Sequence, residues 1–174
     1  MTTETLTPEL TQELVQSLFD YKNGELFWKH KVISRGRKLK KGGQKVSTLA
    51  PDGYLKVGFN SKQYLVHRII FLYHHGFLPE CLDHINGIRS DNRIENLRPA
   101  TKYQNILNSN LRSDNTSGVK GVCWNARKRK WFARIHVDKK PMSLGYYDDI
   151  ELADLVVQEA RIIYHKEYAN HGTH

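Results

Sequence analysis

Residues 83–105, DHINGIRSDNRIENLRPATKYQN, constrain the fold of this chain more than any other stretch. Two groups of turn-forming residues, Asn86-Gly87 and Ser90-Asp91-Asn92, predict that the chain reverses through a loop after a first strand. Pro99 suits only the edge or the end of the return strand. Thr101 suits the N-cap of a helix that continues to Asn108. The stretch therefore predicts strand, loop, strand and helix.

Four polar side chains stand at informative places in this layout. Asp83 and His84 are adjacent, so on a strand their side chains point to opposite faces, one toward a metal and the other toward a water or a phosphate. Asn105 and Asn108 are three residues apart and are expected to share a helix face. Asp83 and Asn105 can then converge on one cation, and two oxygen donors completed by water and substrate suit Mg²⁺.

The segment resembles the ββα-metal motif of HNH endonucleases, in the phage form that has Asn in place of the last His. The resemblance implies that His84 is the general base and that Asn96 holds the loop. It also implies that Asp83 and Asn105 bind one Mg²⁺ or Mn²⁺ ion. An Asn carbonyl is a weaker, neutral ligand, which nicking homing endonucleases also use. Whether one strand or both strands are cut stays open.

An isolated Asp-His pair is more often structural than catalytic. Here the matches to the motif extend over more than twenty residues, and competent residues fill all four key positions, so we expect an active DNA endonuclease. The alternative is a DNA-binding regulatory protein with a decayed HNH module, which should bind DNA without Mg²⁺. An RNA-binding protein is a weaker alternative, because no cluster of aromatic residues suited to stacking on bases is evident.

Composition limits the remaining possibilities. The chain has 174 residues, enough for one ordinary domain or two small ones. Its formal net charge is +9. The first residues lack a signal-peptide pattern, and the longest apolar run is too short for a membrane span. Two distant cysteines without a C-x-x-C pair make a structural zinc site unexpected. We expect a monomer in the cytoplasm of a phage-infected bacterium.

The positive charge is concentrated in two runs. Residues 29–45 contain eight Lys or Arg residues and no acid, and residues 119–140 contain eight against one Asp. Such runs favour a polyanionic partner, here double-stranded DNA. The glycines in the first run suggest a mobile segment along the phosphate backbone, with Arg37 and Lys38 as contacts.

The N-terminal half predicts a helix starting at Thr7-Pro8, a strand at 25–28, a hairpin of strands 54–59 and 63–67, and an apolar helix at 68–76. His67 could touch the site, but we interpret it as a packed histidine. Arg68 is a candidate phosphate contact.

The C-terminal part follows a polar linker at 111–117. Strands are expected at 118–124, 130–137 and 141–147. A helix is expected to start at Asp148 and to pack five apolar residues onto the sheet: Leu152, Leu155, Val156, Ala160 and Ile163.

Residues 118–169 resemble the Apetala-two type DNA-binding domain, through S-G-V-K-G-V, K-W-F-A-R-I and S-L-G-Y-Y-D-D. The resemblance implies that the sheet enters the major groove. Its candidate DNA contacts are Lys120, Trp124, Arg127, Arg134 and His136. Strand alternation places Arg134 and His136 on one face, and an Arg can bind guanine with two hydrogen bonds. The target sequence cannot be inferred, because Cys123, Asn125, Pro141 and Ser143 replace Arg or Trp of plant members.

The expected fold class is α+β, a ββα-metal HNH module followed by a small three-stranded antiparallel sheet plus helix. The expected organisation is an N-terminal helix and basic segment at 1–50, the HNH module at 51–110, the linker at 111–117 and the DNA-binding domain at 118–170.

Overall fold

The computed structural model describes residues 10–30, 32–34, 37–40, 42–59 and 62–172. The chain divides into two compact units, Met1–Pro99 and Ala100–His174. Each unit has its own hydrophobic core. Among the described residues, no helix is both long and apolar enough to cross a bilayer.

The first unit opens with helix α1 (Gln12–Leu18). Thr11 caps this helix, because its side chain accepts a hydrogen bond from the Leu14 amide. Leu10 precedes the helix, so the helix begins later than the sequence predicted. The predicted start at Thr7-Pro8 lies outside the described residues.

Two hairpins and a small sheet follow α1. Strands β1 (Phe19–Lys22) and β2 (Glu25–Trp28) pair antiparallel, as do β3 (Val32–Ser34) and β4 (Arg37–Lys40). The basic segment at 29–45 therefore contains a hairpin, which its charge and glycines did not predict. Strands β5 (Thr48–Leu49), β6 (Leu55–Phe59) and β7 (Lys62–Leu65) form an antiparallel sheet, which confirms the hairpin predicted in this region.

Helix α2 (Val66–His75) follows β7 directly. The prediction that the strand continues to His67 is wrong: Val66 and His67 lie in the first turn of α2, where both are buried. After α2 come β8 (Cys81–His84), a 3-10 turn (Ile94–Asn96) and β9 (Leu97–Ala100), and β8 pairs with β9. Buried residues of α1, β1, β2, β6, α2, β8 and β9 form one core: Val15, Phe19, Leu26, Trp28, Val57, Phe59, Val66, Ile69, Ile70, Phe71, Leu72, Leu82 and Leu97, together with Val46.

The second unit consists of α3 (Lys102–Leu107), β10 (Val122–Asn125), β11 (Lys130–Val137), β12 (Lys140–Tyr147), α4 (Ile150–His165) and a final 3-10 turn (Lys166–Tyr168). The three strands form one antiparallel sheet in the order β10-β11-β12, which confirms the predicted sheet plus helix. The first strand begins at Val122 rather than at 118, because residues 118–121 form turns.

The predicted linker at 111–117 lies inside the second unit. The hydroxyl of Ser117 donates to the carbonyls of Val119 and Val122, which fastens the segment to the start of β10. Helix α3 also belongs to this unit, and the Tyr103 hydroxyl donates to the His136 carbonyl at 3.0 Å.

Helix α4 starts one residue later than predicted. Asp149 is its N-cap and accepts from the Glu151 amide, whereas Asp148 pairs with Lys130 at 2.8 Å. Of the five residues predicted to pack on the sheet, only Ala160 is buried, together with Ala153, Val157, Arg161 and His165. The larger apolar residues face solvent: Leu152, Leu155, Ile162, Ile163 and Tyr164.

Candidate active site

Asp83 and His84 end strand β8 and are both buried, with 3% and 5% of their surface exposed. Leu82, the residue before them, belongs to the hydrophobic core and anchors the strand. A charged carboxylate and an imidazole withdrawn from water need partners, because unpaired buried polar groups are costly. The structure supplies a different partner for each.

Asp83 is held by Arg98 of the paired strand β9. The Nε and one terminal nitrogen of Arg98 donate to the same carboxylate oxygen, Oδ2, at 2.9 and 2.8 Å. Arg98 is itself largely buried in this ion pair. Two donors on Oδ2 hold this oxygen in place and so orient the carboxylate of Asp83.

His84 is held by Asn92 in the loop between β8 and β9. Its Nε2 lies 3.0 Å from the amide oxygen of Asn92, which is 1% exposed. The ring of His67 lies edge-on to His84 with 5.0 Å between the centroids, and the ring of Tyr54 lies 6.0 Å away. The imidazole is therefore enclosed by an amide and two aromatic rings.

His67 occupies the wall of this site rather than its reacting face. Burial, with a smaller contribution from the charges of His84 and Arg68, lowers the pKa of His67 to about 3. Its Nδ1 has no hydrogen-bond partner among the described residues. His67 is thus a neutral, packed histidine at neutral pH, as the sequence suggested, although it contacts the site.

Asn96 closes the loop after His84. Its oxygen accepts from the Asn86 amide at 3.0 Å, and its Nδ2 donates to the Asn86 side chain and to the Asp91 carbonyl. Asp91 in turn accepts from Arg93 and Asn86, and these bonds, led by that from Arg93, lower the pKa of Asp91 to about 2. Asn96 makes the contacts that a loop-holding residue requires.

The β1–β2 hairpin supports this loop from behind. The Tyr21 hydroxyl accepts from the Ile94 amide at 3.1 Å. At the turn, Gly24 has φ +83°, and a Cβ there would lie 2.8 Å from the Arg93 amide nitrogen. The turn backbone therefore lies directly against the loop, and only glycine permits this approach.

Asn105 lies on α3 in the second unit and is half-buried. The helix begins at a capping box in which Thr101 and Gln104 bond each other's backbone amides, so the predicted cap at Thr101 is confirmed. Asn108 is the C-cap rather than a helical residue, so it does not continue the face of Asn105.

The donor set suits a hard cation. Among the described residues, no group of three or more His, Cys, Asp or Glu side chains could hold a metal. Carboxylate and amide oxygens are donors that Mg²⁺ accepts readily and that Zn²⁺ does not favour. Asp83, which Arg98 orients, provides a carboxylate of this kind.

Two predicted DNA contacts have other roles. The Lys120 ammonium group donates to the carbonyls of Leu107, Ser109 and Asn170, at 2.5 to 3.0 Å. Burial and the nearby charge of Arg161 lower the pKa of Lys120 to about 8. Lys120 therefore holds the second unit together, and we withdraw it as a contact.

Trp124 pairs in register with Trp131, whose ring packs on the core beneath α4. It thus lies on the helix side of the sheet, although half of its surface is exposed. The open face of the sheet, which carries Arg134 and His136, is reached instead by its neighbour Cys123, which pairs with Phe132.

Arg134 and His136 lie where alternation predicted. Both are exposed on β11, and the residues between and before them, Ala133 and Ile135, are buried. The same open face carries the stacked rings of Phe132 and Tyr146. Arg127 is exposed in the turn between β10 and β11.

The remaining predicted contacts belong to the first unit. Arg68 donates to the carbonyls of Pro79 and Glu80, at 3.3 and 3.4 Å, and so supports the segment before β8. Arg37 and Lys38 lie on β4, and their side chains lie outside the described part of the structure.

The sequence interpretation missed Asn92 and Arg98 as site residues. Both lie within runs that it used, S-D-N and I-E-N-L-R, but as turn and strand formers. Their partners are fifteen residues or fewer away in sequence. The sequence carries no direct signal for these contacts, because they form only when β9 pairs with β8 and the loop between them closes.

Comparison with known proteins agrees with this geometry. The HNH endonuclease family model matches residues 64–107. Protein 3.8 of Escherichia phage T7 is 27% identical over 88 residues, which are 51% of this chain and 72% of that protein. No solved structure matches the chain. Strand β8, the loop fastened by Asn96, strand β9 and helix α3 all fall within the matched range, so residues 64–107 form an HNH endonuclease domain.

Proposed function

We propose that this chain is a metal-dependent DNA endonuclease that hydrolyses phosphodiester bonds of duplex DNA. The observation that carries the proposal is the buried pair Asp83 and His84 at the end of β8, each held by its own partner within the HNH domain. Adjacent side chains on a strand serve opposite faces, so one strand end provides both a metal ligand and a base.

The resemblance to the phage HNH motif supports Asp83 and Asn105 as the ligands of one Mg²⁺ or Mn²⁺ ion. When bound, the ion stabilises the charge that develops on the phosphate and on the leaving 3′ oxygen. Arg98 keeps the carboxylate of Asp83 oriented, and Asn96 keeps the loop after His84 closed.

His84 acts as the general base. In its neutral form it takes a proton from a water molecule, and the oxygen of that water bonds to phosphorus while the bond from phosphorus to the 3′ oxygen breaks. The rings of His67 and Tyr54 pack beside the imidazole and, together with Asn92, limit its rotation. The hydrolysis requires that the base and the metal ligand are held in fixed positions, and the end of β8 holds both.

Duplex DNA is the proposed partner. The open face of the C-terminal sheet, with Arg134, His136 and the nearby Arg127, supports binding in the manner of an Apetala-two type domain. The basic β3–β4 hairpin, which includes Arg37 and Lys38, would contact phosphates. We further propose a monomeric, homing-type enzyme of a phage, active in the host cytoplasm; the phage relative supports this setting.

A second candidate is a DNA-binding regulatory protein with a decayed module. The observation that favours it is the ion pair between Arg98 and Asp83, because a guanidinium can neutralise a buried carboxylate without any metal. The two candidates differ in Mg²⁺ dependence, since cleavage requires the ion and binding by a regulator does not.

A plasmid assay separates these candidates. Purified protein is incubated with supercoiled plasmid carrying the DNA that flanks its gene, with Mg²⁺ or with EDTA, beside His84→Ala and the control His75→Ala, an exposed histidine of α2. We expect Mg²⁺-dependent cleavage by the wild type and by His75→Ala, and a loss of at least about 100-fold in His84→Ala. Open circles would indicate nicking, and linear product would indicate cleavage of both strands. An intact plasmid that still shifts in a gel in EDTA would favour the regulator.

A further inference from the structure

Asn92 occupies a position from which it can control the chemistry of His84. The amide oxygen of Asn92 lies 3.0 Å from His84 Nε2, and both side chains are at least nine-tenths buried. An amide oxygen accepts hydrogen bonds and cannot donate them. Nε2 must therefore carry the proton in this contact, and the lone pair of a neutral imidazole is then on Nδ1.

The loop holds Asn92 rigidly in place. On one side, Asn96 donates to the Asp91 carbonyl at 2.8 Å, and Asn86 donates to the Asp91 carboxylate at 2.7 Å. On the other side, the Gly24 turn lies against the backbone, since a Cβ at Gly24 would be 3.1 Å from the Asn92 carbonyl carbon. These contacts hold the backbone on both sides of Asn92, from which the side chain extends to His84.

The amide nitrogen of the Asn92 side chain makes no competing hydrogen bond among the described residues. This atom, Nδ2, is buried. A buried amide donor without a partner lowers stability. Among the described residues, the contact of the Asn92 oxygen with His84 is the hydrogen bond that the structure shows for this side chain.

We propose that Asn92 is a positioning residue that fixes the tautomer of His84, so that Nδ1 is the nitrogen that takes the proton from water. This inference rests on the proposed function, because it assigns a role within the same reaction. Asn92 itself does not contact substrate; it acts through the imidazole. A base in the wrong tautomer presents an N–H to the water and cannot accept its proton.

The tautomer can be measured without any cleavage. In the wild-type protein with ¹⁵N-labelled histidine rings, at pH 8 and in EDTA, His84 signals are identified by their loss in His84→Ala. We expect Nε2 to be protonated and Nδ1 to be unprotonated. A wild-type protein with the proton on Nδ1 overturns the inference, and this readout needs no folded Asn92 variant.

Variants test the consequence for catalysis. We expect Asn92→Ala to populate both tautomers and to lower kcat by about 10- to 100-fold, with little change in KM. Asn92→Asp retains an acceptor oxygen and should recover the wild-type tautomer and most of kcat. Ser90→Ala, an exposed position of the same loop, is the control and should match the wild type.

The outcomes distinguish this inference from the proposed function. If the wild type cleaves DNA and Asn92→Ala keeps its full kcat, or loses only KM, the inference fails alone. It also fails if Asn92→Asp is as slow as Asn92→Ala, because acceptance of a hydrogen bond would then not matter. If the wild type cleaves no DNA under any condition, the proposed function fails and the inference fails with it.

Discussion

Three ionisable side chains of the first unit are buried around one strand end, and each is stabilised in a different way. Asp83 has a guanidinium partner, His84 has an amide oxygen, and His67 remains neutral. Removing a charged or polar group from water raises the free energy of the folded state. The ion pair of Asp83 and the hydrogen bond of His84 offset this cost, whereas His67 avoids the cost of burying a charge because it stays neutral. The neutral state of buried His67 makes the stability of the first unit depend on pH.

His67 should make the first unit sensitive to acid. Its pKa falls from an ordinary value near 6.5 to about 3 on folding, so below pH 6.5 the unfolded chain binds a proton that the folded chain does not. Stability is then lost as the pH falls from 6.5 toward 3. Between pH 7 and pH 5 this single group should lower the free energy of unfolding by about 2 kcal/mol.

Urea denaturation at the two pH values tests this expectation. His67→Phe retains an aromatic ring beside Tyr54 and His84 but cannot be protonated. The decrease in the free energy of unfolding should be about 2 kcal/mol smaller in His67→Phe than in the wild type. Equal decreases in both proteins would show that folding does not lower the pKa of His67.

At the scale of elements, the β1–β2 hairpin and the loop between β8 and β9 form one supported structure. Gly24→Ala should disturb it, because the new Cβ would lie 2.8 Å from the backbone nitrogen of Arg93 at a φ of +83°. We expect a loss of roughly 2–3 kcal/mol in the free energy of unfolding and a slower cleavage rate. The rate falls because the displaced loop carries Asn92.

Gly43 provides a matched control. It has φ +77°, but a Cβ there would have no atom within 4 Å. Gly43→Ala should therefore show only the conformational cost of a positive φ, about 1 kcal/mol, and a normal cleavage rate. If the two variants lost the same stability and the same activity, the contact between hairpin and loop would be unimportant.

The elements themselves were largely predictable from the sequence, and helix α4 shows where prediction stops. Its length follows from its periodic apolar residues, but its buried face does not. The sheet beneath it carries Ala133 and Ile135, and close packing selects the small residues Ala153, Val157 and Ala160 for the interface. The periodicity of the apolar residues favoured a face of larger Leu and Ile side chains. The predicted buried face of α4 was wrong because shape complementarity with the sheet, not hydrophobicity, determines which residues pack.

The site was predictable only in part, for a similar reason. Asp83, His84, Asn96 and Asn105 could be named because their residue types and order form a motif. Asn92 and Arg98 act through contacts made when the loop closes and β9 pairs with β8. Such contacts depend on register and loop geometry, which a single sequence does not specify.

At the scale of the whole molecule, the net charge of +9 overstates the charge available to DNA. Lys120 and Arg161 are withdrawn into the second unit, where the Arg161 side chain is 2% exposed and donates to the Lys120 carbonyl. Burial lowers the pKa of Arg161 to about 10. Arg134, in contrast, is exposed on the open face of the sheet.

Separate replacement of the exposed Arg134 and of the hydrogen-bonded Lys120 should distinguish a residue that binds DNA from one that stabilises the fold. Arg134→Ala should weaken binding to duplex DNA and reduce the dependence of log K on log salt concentration, because the open face of the sheet loses a positive charge together with hydrogen bonds to bases. Lys120→Met should leave this dependence unchanged but lower the melting temperature by roughly 5 °C, because three carbonyls lose their donor.

Binding is measured by fluorescence anisotropy in EDTA at several salt concentrations, and stability by circular dichroism. The opposite assignment, a stable Lys120→Met with a reduced salt dependence, would return Lys120 to the DNA contacts. An unchanged affinity of Arg134→Ala would remove the open face of the sheet from the proposed interface.

The support that the β1–β2 hairpin gives to the loop between β8 and β9 limits how this nuclease can be moved between proteins. The similarity to the HNH family begins at residue 64, whereas Tyr21 and Gly24 already contact the loop that carries Asn92. A fragment cut at the limits of family similarity would retain every motif residue and lose the scaffold behind the loop. In recombination or engineering, the smallest exchangeable piece is therefore defined by mechanical support and includes the β1–β2 hairpin.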